Sequence, residues 1–464
     1  MSTESNFDVI VIGGGPGGYV AAIRAAQLGL HTALIEKTAN PGGTCLSVGC
    51  IPSKFLLHAS EMYWHVQHAI PFGVHAPSLG YNFSEMMKGK EKVIENFQKG
   101  IFSLLKKNKV TWIHGTGSFQ DVHSITVDKK KKLTAKYFII ATGSVSTTIP
   151  SIHIDEKHIL SSTGGLSLRS VPETLGIIGA GVIGVELGSV YARLGAKVHC
   201  IEYMDRICPG LDRDVAASLQ KELTSQGIQF HLSTQVMEAK THKSKVTISA
   251  RQKEKDRKEM EFDRLLVVVG RKPNTAGLGL ENVHIPVDKK GYISVNNCFQ
   301  TTHPNIYAIG DVIPGPMLAH KASEEGVVVA ENIAGKNTYV DYPSIPNVIY
   351  TYPEVATVGV TEEELKEQNI EYLSGKFPFM ANSRAGCTGM GTGFVKLLVA
   401  KKGDYLLGMH LIGPHVGELI SLGGLIIRKR LTVHDLIDNT YPHPTLSEAI
   451  KEAALNVFKR SLHI

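Results

Sequence analysis

One pattern occurs twice in the sequence: an apolar run, a glycine-rich turn, a helix-like stretch, a second apolar run and a glutamate. The first copy has the turn Gly13-Gly-Gly-Pro-Gly-Gly18 and ends at Glu36; the second has Gly179-Ala-Gly-Val-Ile-Gly184 and ends at Glu202. Each landmark of the second copy follows its counterpart by 166 residues. A single turn of this kind is common by chance, but two with equal spacing predict two Rossmann-like dinucleotide-binding domains.

The glycines and glutamates of each copy suit a dinucleotide for steric and electrostatic reasons. The first glycine allows a tight turn, the second lets a pyrophosphate approach the backbone, and the third lets helix pack on strand. The carboxylate accepts a hydrogen bond from a ribose 2′-hydroxyl and repels a 2′-phosphate. Because a redox relay and a hydride acceptor are the usual reasons to bind two dinucleotides, FAD with NAD is favoured over two NAD molecules.

The closest pair of the six cysteines, Cys45 and Cys50, lies between the two repeats. Residues five apart in a regular helix rise about 7.5 Å, beyond the roughly 4.4–6.8 Å between disulfide Cα atoms. The segment must therefore bend, and Gly49 permits a bend. No further thiol or imidazole follows at the short spacing of a zinc site, so no metal is expected. A coincidental pair of buried thiols remains the alternative to a redox-active pair.

The composition and charge of the chain limit the classes of protein to which it can belong. With 464 residues, 43% hydrophobic and 20% charged, the chain is expected to be globular. A net charge of +6 is too small to predict a nucleic-acid partner, and no run of 18 apolar residues predicts a membrane span. No apolar leader precedes Phe7, and the six scattered cysteines do not form a secreted disulfide framework. These features predict a cytoplasmic location.

A histidine and a glutamate stand close together near the C-terminus, in His443-Pro-Thr-Leu-Ser-Glu448. A histidine before proline is most often a loop residue. Here, however, Glu448 follows at a spacing that can begin a helix and turn a carboxylate back to the imidazole, which would select one tautomer. The pair lies nearly 400 residues from Cys45, so only folding or a partner chain can bring them together.

Further motifs stand in a recognisable order, and they are Ala141-Thr-Gly143, Gly270-Arg-Lys-Pro-Asn274, Ile306-Tyr-Ala-Ile-Gly-Asp311 and Met317-Leu-Ala-His320. With the glycine turns, the cysteine pair and the His443 motif, they make the whole chain resemble the flavin-dependent pyridine nucleotide-disulphide oxidoreductases. Among these, it is most similar to the members that oxidise dihydrolipoamide. Two positions depart from the family pattern: Ser47 replaces the usual Asn, and Tyr441 stands where many members have His.

The resemblance implies an α/β fold with two Rossmann-like domains and a C-terminal α+β dimerisation domain. Residues 1–148 would form the first part of an FAD-binding domain and 149–272 an NAD-binding domain. Residues 273–343 would be a central FAD-binding segment, and 344–464 the interface of a homodimer.

The resemblance also implies two sets of cofactor-binding residues. Those for FAD would be Gly13, Gly15, Gly18, Glu36, Lys37, Thr44, Lys54, Gly117, Ala141, Thr142, Gly143, Asp311, Met317, Leu318 and Ala319. Those for NAD would be Gly179, Gly181, Gly184, Glu202, Gly270 and Arg271. Lys54 and Glu186 would pair beside the flavin.

The implied activity of this oxidoreductase is the oxidation of protein-bound dihydrolipoyl groups by NAD⁺. His443 of the partner subunit, oriented by Glu448, would take a proton from the substrate, whose thiolate would attack Cys45. Electrons would pass from Cys50 through the flavin to NAD⁺. The expected partners are a second copy of the chain and a lipoyl-bearing protein of a 2-oxoacid dehydrogenase or glycine cleavage complex.

Two alternatives remain at this point. One is another NAD(P)H-dependent flavoprotein disulphide reductase. Against it, the glutathione type needs cations where Glu202 stands, and the mercuric type needs a C-terminal cysteine pair, whereas no cysteine follows Cys387. The other is a non-catalytic subunit that retains the flavin fold.

Overall fold

A computed structural model describes residues 5–252 and 256–464. The chain divides into two compact units. Unit 1 comprises the chain up to Phe55, Asn82–Thr147 and Gly270–Val340, and unit 2 comprises Leu56–Tyr81, Thr148–Val269 and Asp341–Ile464. The four segments expected from the sequence are a finer division and stay a prediction.

The secondary structure alternates strands and helices. The strands are β1 (Ser5–Ile12), β2 (Thr32–Glu36), β3 (Thr111–His114), β4 (Gly117–Asp121), β5 (Ser124–Val127), β6 (Lys131–Ile140), β7 (Ser144–Ser146), β8 (Ile159–Leu160), β9 (Thr174–Ile178), β10 (Lys197–Ile201), β11 (Gln229–His231), β12 (Thr234–His242), β13 (Lys245–Gln252), β14 (Lys258–Phe262), β15 (Arg264–Val267), β16 (Arg271–Pro273), β17 (Ile306–Ala308), β18 (Asn347–Ile349), β19 (Glu354–Gly359), β20 (Tyr372–Pro378), β21 (Phe394–Ala400) and β22 (Leu406–Gly413). The α-helices are α1 (Pro16–Gln27), α2 (Gly43–Val48), α3 (Cys50–Gln67), α4 (Phe83–Lys107), α5 (Ser162–Gly165), α6 (Val182–Arg193), α7 (Arg213–Ser225), α8 (Ala319–Ile333), α9 (Glu362–Glu367), α10 (Ser383–Cys387), α11 (Val416–Lys429), α12 (Val433–Asp438) and α13 (Glu448–Val457). Among the helices of the described residues, none has the length and apolarity to cross a membrane.

Unit 1 is built on a seven-stranded sheet in the order β3-β2-β1-β6-β5-β4, with β17 also paired to β6. Strands β3, β2, β1, β6 and β17 are parallel. Val9–Ile12 of β1 are buried, as expected for a parallel strand covered on both faces. Helices α1 and α8 approach closely, because a Cβ on Gly326 would lie only 2.6 Å from the carbonyl oxygen of Gly17. Because β1, β2 and β6 are parallel, their carboxyl ends lie at one edge of the sheet.

Unit 2 contains a second parallel sheet, β11-β10-β9-β15-β8, and the antiparallel β12-β13-β14 sheet. Its register repeats that of unit 1: Val9 pairs with Thr32 in β1 and β2, and Leu175 pairs with Val198 in β9 and β10. Both members of the second pair lie 166 residues after the first. Two Rossmann-like βαβ units are thus present, as predicted.

The C-terminal part of unit 2 is the antiparallel sheet β18-β19-β22-β21-β20, packed against α11, α12 and α13. The buried Lys396 of β21 joins this part to the nucleotide-binding part of unit 2. Its Nζ lies 2.9 Å from Oδ2 of Asp212, which caps the N-terminus of α7, and it also contacts Glu362 of α9. The predicted α+β character of the C-terminal segment is confirmed.

Candidate active site and dinucleotide sites

The first glycine turn of unit 1 has a shape that side chains would obstruct. Gly13 adopts φ +106°, and a Cβ there would lie 2.4 Å from the carbonyl oxygen of Ala141. A Cβ on Gly18 would lie 1.8 Å from the carbonyl oxygen of Gly13. Both glycines are therefore required by sterics within the fold.

The second glycine turn, in unit 2, has the same geometry. Gly179 adopts φ +102°, and its Cβ would lie 2.6 Å from the carbonyl oxygen of Val268. A Cβ on Gly184 would lie 2.0 Å from the carbonyl oxygen of Gly179. The repeated sequence thus produces two equivalent strand-to-helix turns.

The middle glycine of each turn has open space instead. A Cβ on Gly181 would meet no atom within 4 Å, and one on Gly15 would meet only Gly43, at 3.9 Å. Both glycines are the N-caps of their helices, α6 and α1, so free backbone amides point toward this space. An anionic pyrophosphate fits such a place, because it interacts favourably with a helix N-terminus.

The glutamate of each copy is buried and tied to its own glycine turn. Glu36 Oε2 accepts a hydrogen bond from the amide of Gly14 at 2.6 Å, and Oε1 accepts one at 2.8 Å from the amide two residues further along. Glu202 makes the equivalent bonds, from Ala180 and from the amide two residues after Glu202, both at 2.8 Å. Each carboxylate keeps acceptor capacity for a ribose hydroxyl.

Glu202 gives the second site a testable nucleotide preference. A bond from a ribose 2′-hydroxyl to a carboxylate contributes about 1.5–3 kcal/mol. A 2′-phosphate loses this bond and adds about 1–4 kcal/mol of repulsion at 4 Å. We expect kcat/KM to favour NAD⁺ over NADP⁺ by at least roughly 10²-fold. Glu202→Ala should shrink this ratio in steady-state assays, and adding an arginine nearby should reverse it.

A matched control for Glu202 is Glu238→Ala, which removes an exposed glutamate of β12 that pairs with Lys240. This variant should keep the wild-type nucleotide ratio. A wild-type rate with NADP⁺ within about tenfold of the rate with NAD⁺ would contradict the role given to Glu202.

The cysteine pair of unit 1 lies where two helices meet. Helix α2 ends at Val48 and α3 begins at Cys50, with Gly49 between them. A Cβ on Gly49 would lie 2.8 Å from the carbonyl oxygen of Thr44 and 3.2 Å from Cα of Cys45. The predicted bend at Gly49 is therefore present, because only glycine allows the chain to fold so tightly over the preceding turn.

The bend brings the two thiols into contact. Cys45 and Cys50 are free thiols in this structure, and their side chains are hydrogen-bonded to each other. This bond is the largest cause that raises the pKa of Cys45, and burial raises it further. Lys54, one turn further along α3, opposes the rise in the pKa of Cys45.

Tyr19 lies near Cys45, and no sequence motif singled it out. It lies on α1, and burial raises the pKa of its phenol, with a smaller contribution from Cys45. The only signal for it in the sequence is its position just after the first glycine turn. A phenol with a raised pKa stays protonated at neutral pH.

Asp311 belongs to a hydrogen-bonded network within unit 1. Ser144 Oγ donates to Asp311 Oδ2 at 2.6 Å, and Arg271 donates from Nε to Ser144 Oγ and from Nη2 to Ser144 O, each at 2.7 Å. Burial lowers the pKa of Arg271, and Asp311 partly opposes this. The structure thus places Arg271 beside Asp311 in unit 1. Ser144 follows Gly143 directly, which is the only sequence signal for it.

The other residues expected at the FAD site lie at the ends of several elements of unit 1. Gly143 adopts positive φ just before β7, and Gly270, which is expected at the NAD site, adopts positive φ just before β16, the strand paired with β7. Gly117 begins β4, and Leu318 is the N-cap of α8. The remaining members of the set are Lys37 after β2, Thr44 in α2, Thr142 in the turn after β6, Met317 before α8 and Ala319 at its start. Their contacts with FAD stay predictions.

The histidine–glutamate pair of unit 2 has the geometry expected from its spacing. Helix α13 begins at Glu448, whose Oε1 lies 2.9 Å from Nδ1 of His443, and Oε2 accepts the amide of Thr445 at 2.7 Å. Burial raises the pKa of Glu448, but these two bonds outweigh it and the pKa lies below its ordinary value. With Nδ1 donating to a carboxylate, Nε2 of His443 is the atom that can take a proton.

Glu186 is buried on α6 of unit 2, where its Oε1 accepts the amide of Tyr350 at 2.9 Å. Its expected pairing with Lys54 stays a prediction, as does the meeting of His443 with Cys45. Within residues 5–252 and 256–464, no group of three or more His, Cys, Asp or Glu side chains could hold a metal ion.

Comparison with known proteins defines the class. Residues 7–326 match the family model "Pyridine nucleotide-disulphide oxidoreductase", and residues 345–454 match the dimerisation domain of the same family. The chain belongs to the pyridine nucleotide-disulphide oxidoreductase family. The predicted family, fold class and cofactors FAD and NAD are confirmed, and the dimerisation domain supports the predicted homodimer.

Individual relatives carry names that specify an activity within the family. The mitochondrial dihydrolipoyl dehydrogenase of Pisum sativum is 46% identical, with 98% of this chain and 92% of the relative aligned. That of Mus musculus is 47% identical over 97% of this chain and 90% of the relative. Among solved structures, the Cu(II) complex of the HOCl-induced flavoprotein disulfide reductase RclA from Escherichia coli is similar, with a TM-score of 0.87, 28% identity and coverage of 97% and 99%.

The predicted cytoplasmic location is wrong. The dihydrolipoyl dehydrogenases of pea and mouse, and those of Dictyostelium discoideum and Caenorhabditis elegans, are mitochondrial, which points to the mitochondrion. Scattered free cysteines distinguish a reducing compartment from an oxidising one. They do not distinguish between two reducing compartments, which is why composition gave the wrong result.

Proposed function

We propose that this enzyme uses its Cys45–Cys50 pair to oxidise dihydrolipoyl groups on a partner protein, with NAD⁺ as the final electron acceptor. The observation that carries this proposal is the contact between the two thiols at the Gly49 bend, in the unit that holds the first dinucleotide turn. Dihydrolipoyl dehydrogenase activity is also the activity of relatives 46–47% identical over nearly the whole chain.

The reaction follows from the properties of the side chains. In the oxidised enzyme Cys45 and Cys50 form a disulphide, and Nε2 of His443 takes a proton from one substrate thiol. The substrate thiolate attacks the sulfur of Cys45 and forms a mixed disulphide, while Cys50 leaves as a thiolate. The second substrate thiol then attacks the substrate sulfur of this disulphide, and its proton passes to Cys45, which is released as a thiol together with the oxidised lipoyl ring.

Two electrons now reside on the cysteine pair. The raised pKa of Cys45 favours its return to the thiol form, and in the proposed reaction the negative charge is assigned to Cys50. FAD, when bound, supplies the two-electron relay from the cysteines to NAD⁺. Asp311, with Ser144 and Arg271, would hold the polar part of FAD, and Glu202 would hold the ribose of NAD.

The activities of other disulphide reductases fit the residues of this chain less well. A glutathione-type enzyme needs cations for a 2′-phosphate, whereas Glu202 is an anion bonded to the turn itself. A mercuric reductase needs a C-terminal cysteine pair, and no cysteine follows Cys387. A non-catalytic subunit has no need of the His443–Glu448 contact at 2.9 Å.

Turnover of free dihydrolipoamide with NAD⁺ tests the proposed function directly. The holoenzyme should reduce NAD⁺ with this substrate and give no comparable NADPH-dependent reduction of glutathione disulphide. A holoenzyme that gains two titratable thiols per chain on reduction but shows no dihydrolipoamide turnover would contradict the proposal. For the lipoyl-bearing partner, the same assay with a lipoylated domain should give a lower KM than free dihydrolipoamide.

Subunit mixing tests whether one site uses Cys45 of one chain and His443 of the other. A Cys45→Ser homodimer and a His443→Ala homodimer should each be inactive. After random exchange, half of the dimers would be mixed and contain one intact site, so about a quarter of wild-type activity should return. Exchange is verified by mass spectrometry of the mixed dimers. Verified exchange without activity would place each site within one chain.

A further inference from the structure

Helix α8 of unit 1 carries an ion pair that the reaction does not use directly. Lys321 Nζ lies 3.1 Å from Glu325 Oε1, and both side chains are fully buried. The two residues are one helical turn apart, so their side chains lie on the same face of α8. A buried ion pair is costly to desolvate and seldom adds net stability. We therefore expect this pair to have a role other than stability.

Both members of this pair also bind one residue outside the helix. Glu325 Oε2 accepts the amide of Gly310 at 2.7 Å, and Lys321 Nζ donates to the carbonyl oxygen of Gly310 at 3.0 Å. Gly310 adopts φ +73°, at the start of a short 3₁₀ turn that follows β17. The peptide groups on both sides of this glycine are therefore held by charged side chains.

The residue after Gly310 is Asp311, whose carboxylate is held independently. Ser144 donates to it at 2.6 Å, and Arg271 in turn holds Ser144. Asp311 is thus restrained from two sides, through the backbone by α8 and through the side chain by β7 and β16. Hydrogen bonds that involve a charged group are stronger than those between neutral groups, so they restrain the turn more firmly.

We propose that Lys321 and Glu325 are positioning residues for FAD, which set the backbone of the Gly310–Asp311 turn so that the Asp311 carboxylate meets the cofactor. This inference rests on the proposed function only in taking Asp311 as an FAD ligand. The pair acts through Asp311 and does not itself touch the reacting atoms.

This role predicts that the effects of changing the Lys321–Glu325 pair and of changing Asp311 on FAD binding are coupled. Removing the pair should weaken FAD binding only as long as Asp311 makes its contact. A merely structural role would instead add to the effect of changing Asp311, because independent effects on stability are additive. A double-mutant cycle on FAD release therefore separates the two roles.

The experiment follows FAD release from the holoenzyme by flavin fluorescence. The charge-neutral double variant Lys321→Met/Glu325→Gln should release FAD roughly 10–100-fold faster than wild type, the loss expected for one or two charge-assisted hydrogen bonds. Asp311→Asn should have an effect of similar size. In the Asp311→Asn background, the double variant should add less than about threefold. The midpoint potential of the flavin should shift in the same variants.

Glu331→Gln is the matched control on the same helix. Glu331 forms a partly exposed ion pair with Arg24 and lies away from the Gly310 turn. This variant should release FAD within about twofold of wild type. Glu325→Gln alone keeps the side-chain volume and an acceptor oxygen, so it provides a second measurement if the double variant does not fold. It should release FAD about 3–30-fold faster.

Three results would overturn the proposal. They are an unchanged release rate in both the double variant and Glu325→Gln, a full additional effect in the Asp311→Asn background, and normal FAD release in Asp311→Asn itself. None of these would affect the proposed function if dihydrolipoamide turnover by the wild-type holoenzyme is observed. Conversely, if the wild-type holoenzyme did not turn over dihydrolipoamide but the FAD-release effects were non-additive as expected, the positioning role would still be established.

Discussion

Changing either cysteine to serine is expected to reduce dihydrolipoamide turnover by at least about 10⁴-fold, because the disulphide that accepts the electrons can no longer form. The two variants should differ in their spectra. The proposed reaction assigns the negative charge of the reduced pair to Cys50, next to a Cys45 thiol whose pKa is raised by its hydrogen bond to Cys50 and by burial. A Cys50 thiolate next to oxidised flavin should give a long-wavelength charge-transfer band, so Cys45→Ser should retain this band and Cys50→Ser should lose it.

Absorption spectra of the two purified holoenzyme variants, recorded without substrate, decide the assignment. Cys298→Ser is a suitable control, because Cys298 is exposed and belongs to no thiol pair expected from the sequence. It should leave both turnover and spectrum unchanged. A band that is lost in Cys45→Ser and kept in Cys50→Ser would reverse the roles of the two thiols.

His443→Ala is expected to lower turnover by roughly 10²–10⁴-fold, the usual contribution of a positioned general base, with normal FAD content. Glu448→Gln should have a smaller effect, since it weakens the orientation of the imidazole but retains it as a base. Because the pKa of Glu448 is depressed, its carboxylate remains ionised as the pH falls through the ordinary glutamate range. Protonation of Glu448 should therefore not limit kcat/KM in the ordinary glutamate range.

The chain offers a matched control for His443. His463 also pairs with a glutamate of α13, and its Nδ1 lies 2.9 Å from Oε1 of Glu452, one turn beyond Glu448. His463→Ala removes an imidazole of the same kind from the same helix and should leave turnover within about threefold of wild type. Near-normal turnover of His443→Ala would exclude the His443–Glu448 pair as the catalytic base.

Features set by local sterics could be predicted from the sequence. The glycine turns follow from backbone clashes within a few residues or with the neighbouring strand, so Gly13 and Gly179 reveal them wherever they occur. The bend at Gly49 and the return of Glu448 to His443 are equally local, because both depend on residues five apart or fewer. Family membership followed from the order of such local motifs.

The tertiary structure decided which distant residues support one another. Ser144 reaches Asp311 across 167 positions because the parallel strands β6 and β17 end at one edge of the sheet, and Arg271 reaches Ser144 across 127 because β16 pairs antiparallel with β7. The Lys321–Glu325 pair looks like an ordinary surface pair in the sequence, and only its full burial against Gly310 reveals another role. The hydrogen bond to Cys50 is the largest cause of the raised pKa of Cys45, and burial raises it further. The burial cannot be read from spacing along the chain, since it depends on groups that folding brings into contact.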